Sequence, residues 1–140
     1  MSTTPSGADP SGTDPAIRVS ARTDAEGTAP AVPAATVSSH VLDAATGRPA
    51  AGVRLTLLRR DDAGAYIEVR TGSTDADGRV AGWRTEPGVH RLRFDTGAWF
   101  AARGTDTFYP EVEVAFTAAD GRHHVPLLLS PFAYSTYRGS

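Results

Sequence analysis

His90-Arg-Leu-Arg-Phe-Asp95 runs directly into Thr96-Gly-Ala-Trp-Phe-Ala-Ala-Arg103, and the fold is decided at that junction. The first six residues alternate, with Leu92 and Phe94 on one face and Arg91, Arg93 and Asp95 on the other. That period of two is the signature of a strand with one buried side. The next eight residues contain no proline, open with a threonine able to cap, and stop before Gly104, which fits one short helix. Moving outward, the strand pattern recurs. Downstream, Glu111–Phe116 sets Val112, Val114 and Phe116 inward and Glu111 and Glu113 outward. Ala119-Asp120-Gly121 then turns the chain into a strand over His123–Leu129, Pro131 breaks that run, and Ala133–Tyr137 makes a last strand. Upstream, Val53–Arg60 stops at Asp61-Asp62-Ala63-Gly64 and Ala65–Thr71 returns as the second arm of a hairpin, while Asp75-Ala76-Asp77-Gly78 forms a further turn. Six to eight strands at this spacing with one helix predict an all-β sandwich over residues 37–140.

Residues 1–36 read differently. They hold Pro5, Pro10, Pro15, Pro30 and Pro33, half of the chain's 10 prolines, and no aromatic residue. Little apolar surface is available there to offset the entropy of ordering, which predicts a disordered extension. The whole chain of 140 residues suits one domain. It has no cysteine, which excludes a disulfide framework, a thiolate metal site and a thiol nucleophile. Its net charge is −2, and all 14 basic residues are arginines, so no basic face for nucleic acid is expected. No apolar run reaches the ~18 residues that span a bilayer. With no signal peptide discernible, the expected location is the cytoplasm.

The histidines are His40, His90, His123 and His124. His90 is expected at the solvent-exposed surface beside Arg91. His123 and His124 are neighbours on a strand and face opposite sides of the sheet, so only one of them can enter a given site. No three or four ligands stand at zinc spacing, and no metal is expected. The Asp75–Gly78 turn is not a calcium loop, because aligning its glycine puts Ser73 at the first ligand position and Arg84 where a bidentate glutamate belongs. Arg79 follows that glycine and can be thrown from a fixed corner into a cleft, or can be a plain surface arginine at a strand start. The chain has no G-x-S-x-G elbow, no phosphate-cradling loop and no H-E-x-x-H. What remains is histidine as base, arginine as anion stabiliser and water as nucleophile, a set suited to hydrolysis of an activated carbonyl.

The last residues narrow the choice. His124-Val-Pro-Leu-Leu-Leu-Ser-Pro-Phe-Ala-Tyr-Ser-Thr-Tyr-Arg-Gly-Ser140 closely resembles the end of the 5-hydroxyisourate hydrolases, the transthyretin-like enzymes of urate catabolism. Three further blocks carry the same resemblance: Ser39–Asp43 with Gly47–Ala50, Thr74–Arg79, and Phe94–Gly97. Together they span residues 37–140. The resemblance implies a transthyretin/prealbumin-like sandwich of two four-stranded sheets with one short helix. It also implies a homotetramer, a dimer of dimers with active sites in the channel where the dimers meet. Carried over residue by residue, the catalytic residues are His40, Arg79, His124 and Ser140, and Tyr137, Arg138 and Gly139 complete the substrate pocket. The implied reaction opens the ring of 5-hydroxyisourate and needs no cofactor. One departure stands out: the usual His-Tyr pair ahead of the second histidine is Arg122-His123 here, while His124 itself is kept. Two rival readings are a non-catalytic carrier of small planar ligands on the same fold and a structural module of a surface protein. Neither requires the histidines, the arginine and the terminal Tyr137-Arg138-Gly139-Ser140 together.

Overall fold

The computed structural model describes residues 34–140. β1 (Ala35–Asp43) shows the alternation that organises the molecule: Ala35, Val37, Ser39 and Val41 are buried, whereas Thr36, Ser38, His40 and Leu42 lie half-buried on the opposite face. Of the extension expected over residues 1–36, residues 1–33 lie outside the described residues. Ala35 and Thr36 belong to β1.

One sheet is antiparallel throughout. Its order is β4 (Tyr66–Ser73), β3 (Arg54–Arg60), β6 (Gly88–Phe94) and β7 (Val112–Ala118). β3 and β4 form the expected hairpin, closed at its turn by Asp61, whose carboxylate accepts from the backbone N–H of Ala63 and Ala65. On the outer face of β6, Arg91 and Arg93 flank Glu113 of β7 at 3.8 and 3.9 Å.

The second sheet is more divided than the four strands expected. β1 is its spine. Along its first half β1 pairs with β5 (Arg79–Thr85), antiparallel, and with β8 (Gly121–His124), parallel. Along its second half it pairs with β2 (Arg48–Pro49), antiparallel, and with β9 (Leu127–Ser130), parallel, and β10 (Ala133–Thr136) lies outside β9. The single strand expected over His123–Leu129 is therefore two. Pro126 has no N–H to give the ladder, so pairing lapses at Val125-Pro126 and resumes at Leu127. The buried Ser39 hydroxyl bridges the gap by donating to the Val125 carbonyl at 2.6 Å.

Leu55, Leu57, Leu92, Phe94 and Val112 of the first sheet meet Val37, Val41, Leu127 and Leu129 of the second in one core, closed at its side by Trp83, Trp99 and Phe100. The helix α1 (Thr96–Ala101) is shorter than the span Thr96–Arg103, and Thr96 is not its cap. The buried Thr96 hydroxyl instead donates to the Tyr109 carbonyl at 2.7 Å, and Asp95 takes the cap position without a side-chain bond. Arg103 folds back with its guanidinium 3.7 Å from the Trp99 ring centre, which seals the helix against the core.

His90 is fully buried, contrary to the exposed position expected of it. The same period of two that buries Leu92 and Phe94 carries His90 to their face. Its two ring nitrogens are both satisfied there: Nδ1–H donates to the Gly88 carbonyl at 2.9 Å, and Nε2 accepts from the Thr85 hydroxyl at 2.8 Å. Phe116 stacks on the ring. Burial is the main cause holding this imidazole below its ordinary pKa of 6.5, with the charge of Arg59 adding to it.

Candidate active site

The site is built on the outer face of β1. Residues i and i+2 of a strand share a face, so Ser38 and His40 point the same way. Directly across the antiparallel pairing, His40 stands opposite Arg79 of β5, and across the parallel pairing Ser38 stands opposite His124 of β8. Cross-strand partners also share a face, so three strands from distant parts of the chain bring Ser38, His40, Arg79 and His124 together.

Arg79 owes its position to the turn before it. The Asp75 carboxylate accepts from the backbone N–H of Asp77 at 2.9 Å and of Arg79 at 3.0 Å. Gly78 has φ +76°, a left-handed conformation costly to other residues, and its carbonyl accepts from Val41 N–H at 2.7 Å. A Cβ at Gly78 would stand 2.5 Å from the Val41 carbonyl oxygen and 3.2 Å from Ala50 N. The corner is thus clamped against β1, and the Arg79 side chain leaves it exposed to solvent.

His124 is held from two sides. Its Nδ1 lies 2.8 Å from Ser38 Oγ, and its backbone carbonyl accepts from Gly139 N–H at 2.9 Å, which returns the chain terminus to the site. Burial, then the positive charge of Arg79 and the neighbouring His40, hold the imidazole below its ordinary 6.5. His124 is therefore largely neutral at pH 7, the form a base needs. His123 turns elsewhere and donates from Nε2 to the Ala119 carbonyl at 2.9 Å.

A cleft of about 550 Å³ opens over this face, walled by Ser38, Arg79, Arg122, His124 and Ser140 among others. His40 is not among its lining residues; it stands next to it as the cross-strand partner of Arg79. Tyr137 and Arg138 line a neighbouring cavity of about 440 Å³ with Val114, Phe116 and Val125, and His124 borders both cavities. Of the seven site residues named from the sequence, Arg79, His124 and Ser140 thus share the cleft, while His40 and Gly139 do not line it and are tied to it only as the partners of Arg79 and His124. Tyr137 and Arg138 line only the neighbouring cavity. Ser38 and Arg122 were not among the seven, although alternation points to both: each stands two residues before a site histidine on the same strand. Among the described residues no three His, Asp or Glu side chains group closely enough to hold a metal ion. No helix among them is long and apolar enough to cross a membrane.

This two-sheet, one-helix architecture with a polar cleft on the outer face of one sheet is that of a transthyretin-like domain. The chain belongs to the HIUase/Transthyretin family, which it matches over residues 37–139. A 5-hydroxyisourate hydrolase of Salmonella typhimurium is 46% identical over 110 residues, covering 74% of this chain and 80% of that protein. Among solved structures, the 5-hydroxyisourate hydrolase of Klebsiella pneumoniae superposes with a TM-score of 0.69 at 35% identity, covering 76% of this chain and 99% of that one. Sea bream transthyretin in complex with thyroxine superposes with the same TM-score at 34% identity, covering 74% of this chain and 93% of its own. Backbone likeness is therefore equal for a hydrolase and a hormone-binding protein, and the site must decide.

Proposed function

We propose that this chain hydrolyses 5-hydroxyisourate to 2-oxo-4-hydroxy-4-carboxy-5-ureidoimidazoline, a step of urate catabolism, by adding water to an activated ring carbonyl. The observation that carries the reading is the sharing of one sheet face by His40, Arg79 and His124, with Ser140 in the same cleft. A carrier of planar ligands has no use for a neutral imidazole beside a permanent cation, whereas hydrolysis needs both.

Water enters the cleft between the two imidazoles. His124, neutral for the reasons given above, takes a proton from it, and His40 orients it by hydrogen bonding. The water oxygen bonds to the ring carbonyl carbon and makes a tetrahedral oxyanion. Arg79 receives that charge, because guanidinium stays ionised and offers a planar fork of donors. The C–N bond then breaks, the proton held by histidine passes to the departing nitrogen, and the carbonyl carbon stays in the opened product as a carboxylic acid, which releases the remaining proton of the water to solvent as it becomes a carboxylate. The ring carbonyl is more electrophilic than a simple amide, so no covalent nucleophile is required. Ser140, at the cleft wall, positions the substrate or relays the proton, and Tyr137, Arg138 and Gly139 hold the pocket's rear. The working form is a homotetramer in which the cleft opens onto a channel between dimers, and the compartment is the cytoplasm.

The test is an isotopic one. In water enriched in heavy oxygen, protein-accelerated turnover is expected to place one heavy oxygen in the new carboxylate of the product. Product with no heavy oxygen, or no acceleration with retention of thyroxine-like ligands instead, would replace hydrolysis with the carrier reading.

A further inference from the structure

Two residues, Ser38 at the cleft wall and Gly139 beside it, have geometry that addresses His124. Ser38 Oγ lies 2.8 Å from Nδ1 and makes no other hydrogen bond among the described residues. On the opposite edge of the ring, a Cβ built on Gly139 would fall on Cδ2, well inside van der Waals contact, and would stand 3.0 Å from Cγ and 3.1 Å from the histidine's own Cβ. Gly139 has no left-handed φ, so close approach to the imidazole, and not backbone freedom, is what excludes a side chain there. The imidazole is thus gripped on both long edges, Nδ1 against Ser38 and Cδ2 against Gly139. Only its tip, Nε2 and Cε1, is left for the cleft. A half-turn of the ring would set Nδ1 against the Gly139 backbone and carbon against the serine hydroxyl, losing the hydrogen bond.

We infer that Ser38 and Gly139 are positioning residues for His124, Ser38 fixing the tautomer with hydrogen on Nδ1 and Gly139 fixing the ring plane, so that Nε2 meets the cleft as a bare acceptor. A serine oxygen can accept the Nδ1–H bond or donate to Nδ1, and the surroundings select the first. The second would put the ring's hydrogen on Nε2, toward the cleft that Arg79 also lines, where the field of the guanidinium charge disfavours an N–H dipole and favours a lone pair. Serine also differs from the carboxylate that commonly orients a histidine. It is neutral, so it sets the tautomer without raising the affinity of Nε2 for a proton. The inference deepens the hydrolase reading and rests on it for its catalytic meaning.

The experiment has one readout that needs no turnover. In full-length protein labelled with ¹⁵N-histidine, the His124 nitrogens, assigned by difference with His124→Gln, are expected to show a protonated Nδ1 and an unprotonated Nε2 at neutral pH. In Ser38→Ala the hydrogen is expected to move largely to Nε2, the form preferred in free solution, and Ser38→Thr is expected to restore the wild-type pattern. Gly139→Ala, a change next to the chain terminus that leaves the core intact, is expected to shift the ring resonances without altering the melting temperature. In turnover of 5-hydroxyisourate, Ser38→Ala and Gly139→Ala are each expected to lose kcat by about 10²-fold, the low end of what a positioned acid–base group supplies, with KM within about threefold. A wild-type Nε2–H form, or a tautomer unchanged in Ser38→Ala, would overturn the inference. A wild-type protein with the Nδ1–H tautomer but no turnover would leave the positioning intact and remove the hydrolase reading beneath it.

Discussion

Replacing Arg79 with glutamine separates catalysis from stability, because the structure gives the side chain no part in the fold. The Asp75–Gly78 corner is closed by the backbone N–H of Arg79, not by its guanidinium. No carboxylate among the described residues pairs with it. Removing an exposed, unpaired side chain of this kind changes stability by about 0.5 kcal/mol or less. The catalytic loss is much larger. If Arg79 is the donor that meets the developing oxyanion, its removal is expected to cost about 10²–10³ in kcat, or roughly 2.7–4 kcal/mol of transition-state stabilisation. A second consequence is independent of the first. The Arg79 charge helps hold His124 below 6.5, so without it the imidazole retains its proton to higher pH. A base must be neutral to act, and the acid limb of the pH–rate profile is expected to move upward. Arg79→Lys keeps the charge and loses the fork, so it is expected to lower the rate while leaving that limb in place. The assay is stopped-flow decay of enzymatically generated 5-hydroxyisourate between pH 5.5 and 8.5, with thermal melts of each variant. An Arg79→Gln protein within about threefold of the wild-type rate, or one whose acid limb does not move, would refute the reasoning.

Other outcomes follow from the same geometry. A tag fused after Ser140 is expected to abolish activity and the same tag at Met1 to leave it intact, because Ser140 lines the cleft and Gly139 is bonded to the His124 backbone; equal activities would remove Ser140 from the site. Gly78→Ala introduces a Cβ against the Val41 carbonyl at a positive φ, and is expected to cost about 1–3 kcal/mol, seen as a lower melting temperature, with Arg79 displaced and activity lost. His90→Leu strands the Gly88 carbonyl and the Thr85 hydroxyl and is expected to cost about 1–3 kcal/mol in denaturant titration at pH 7.5. Because burial depresses the folded-state pKa of His90, the unfolded chain binds more protons below 6.5, and wild-type stability falls as pH drops through that range. In His90→Leu that share of the acid slope is expected to vanish, and an unchanged slope would contradict the buried, neutral assignment.

The sandwich was legible because its strands carry the period of two in plain view. Leu92 and Phe94 against Arg91 and Arg93, and Val112, Val114 and Phe116 against the glutamates, sort as the sheet sorts them. The same pattern placed His90 inward, but its polarity suggested exposure, since only the fold of the β5–β6 hairpin turns the Thr85 hydroxyl and the Gly88 carbonyl onto its ring. The break at Pro126 was hidden because proline sits in an otherwise apolar run, and the run reads as continuous until the missing N–H is counted. The site is a harder case. His40, Arg79 and His124 come from three strands, and the β1–β8 pairing that joins two of them bridges 86 positions of sequence. No local pattern encodes that register. Resemblance supplied the residues, and the pairing then put them on one face. Ser38 needed neither, because a residue two positions before His40 on a strand must share its face.

The central claim is that the face formed by His40, Arg79 and His124 performs hydrolysis. The most direct measurement is the near-ultraviolet decay of 5-hydroxyisourate, made in situ by urate oxidase, with and without the purified protein at pH 7. Acceleration over the spontaneous rate is predicted for the wild type, and its loss by about 10²-fold or more in His40→Ala and in His124→Ala. A folded wild-type protein that leaves the spontaneous rate unchanged, or alanine variants that decay the substrate as fast as the wild type, would contradict it.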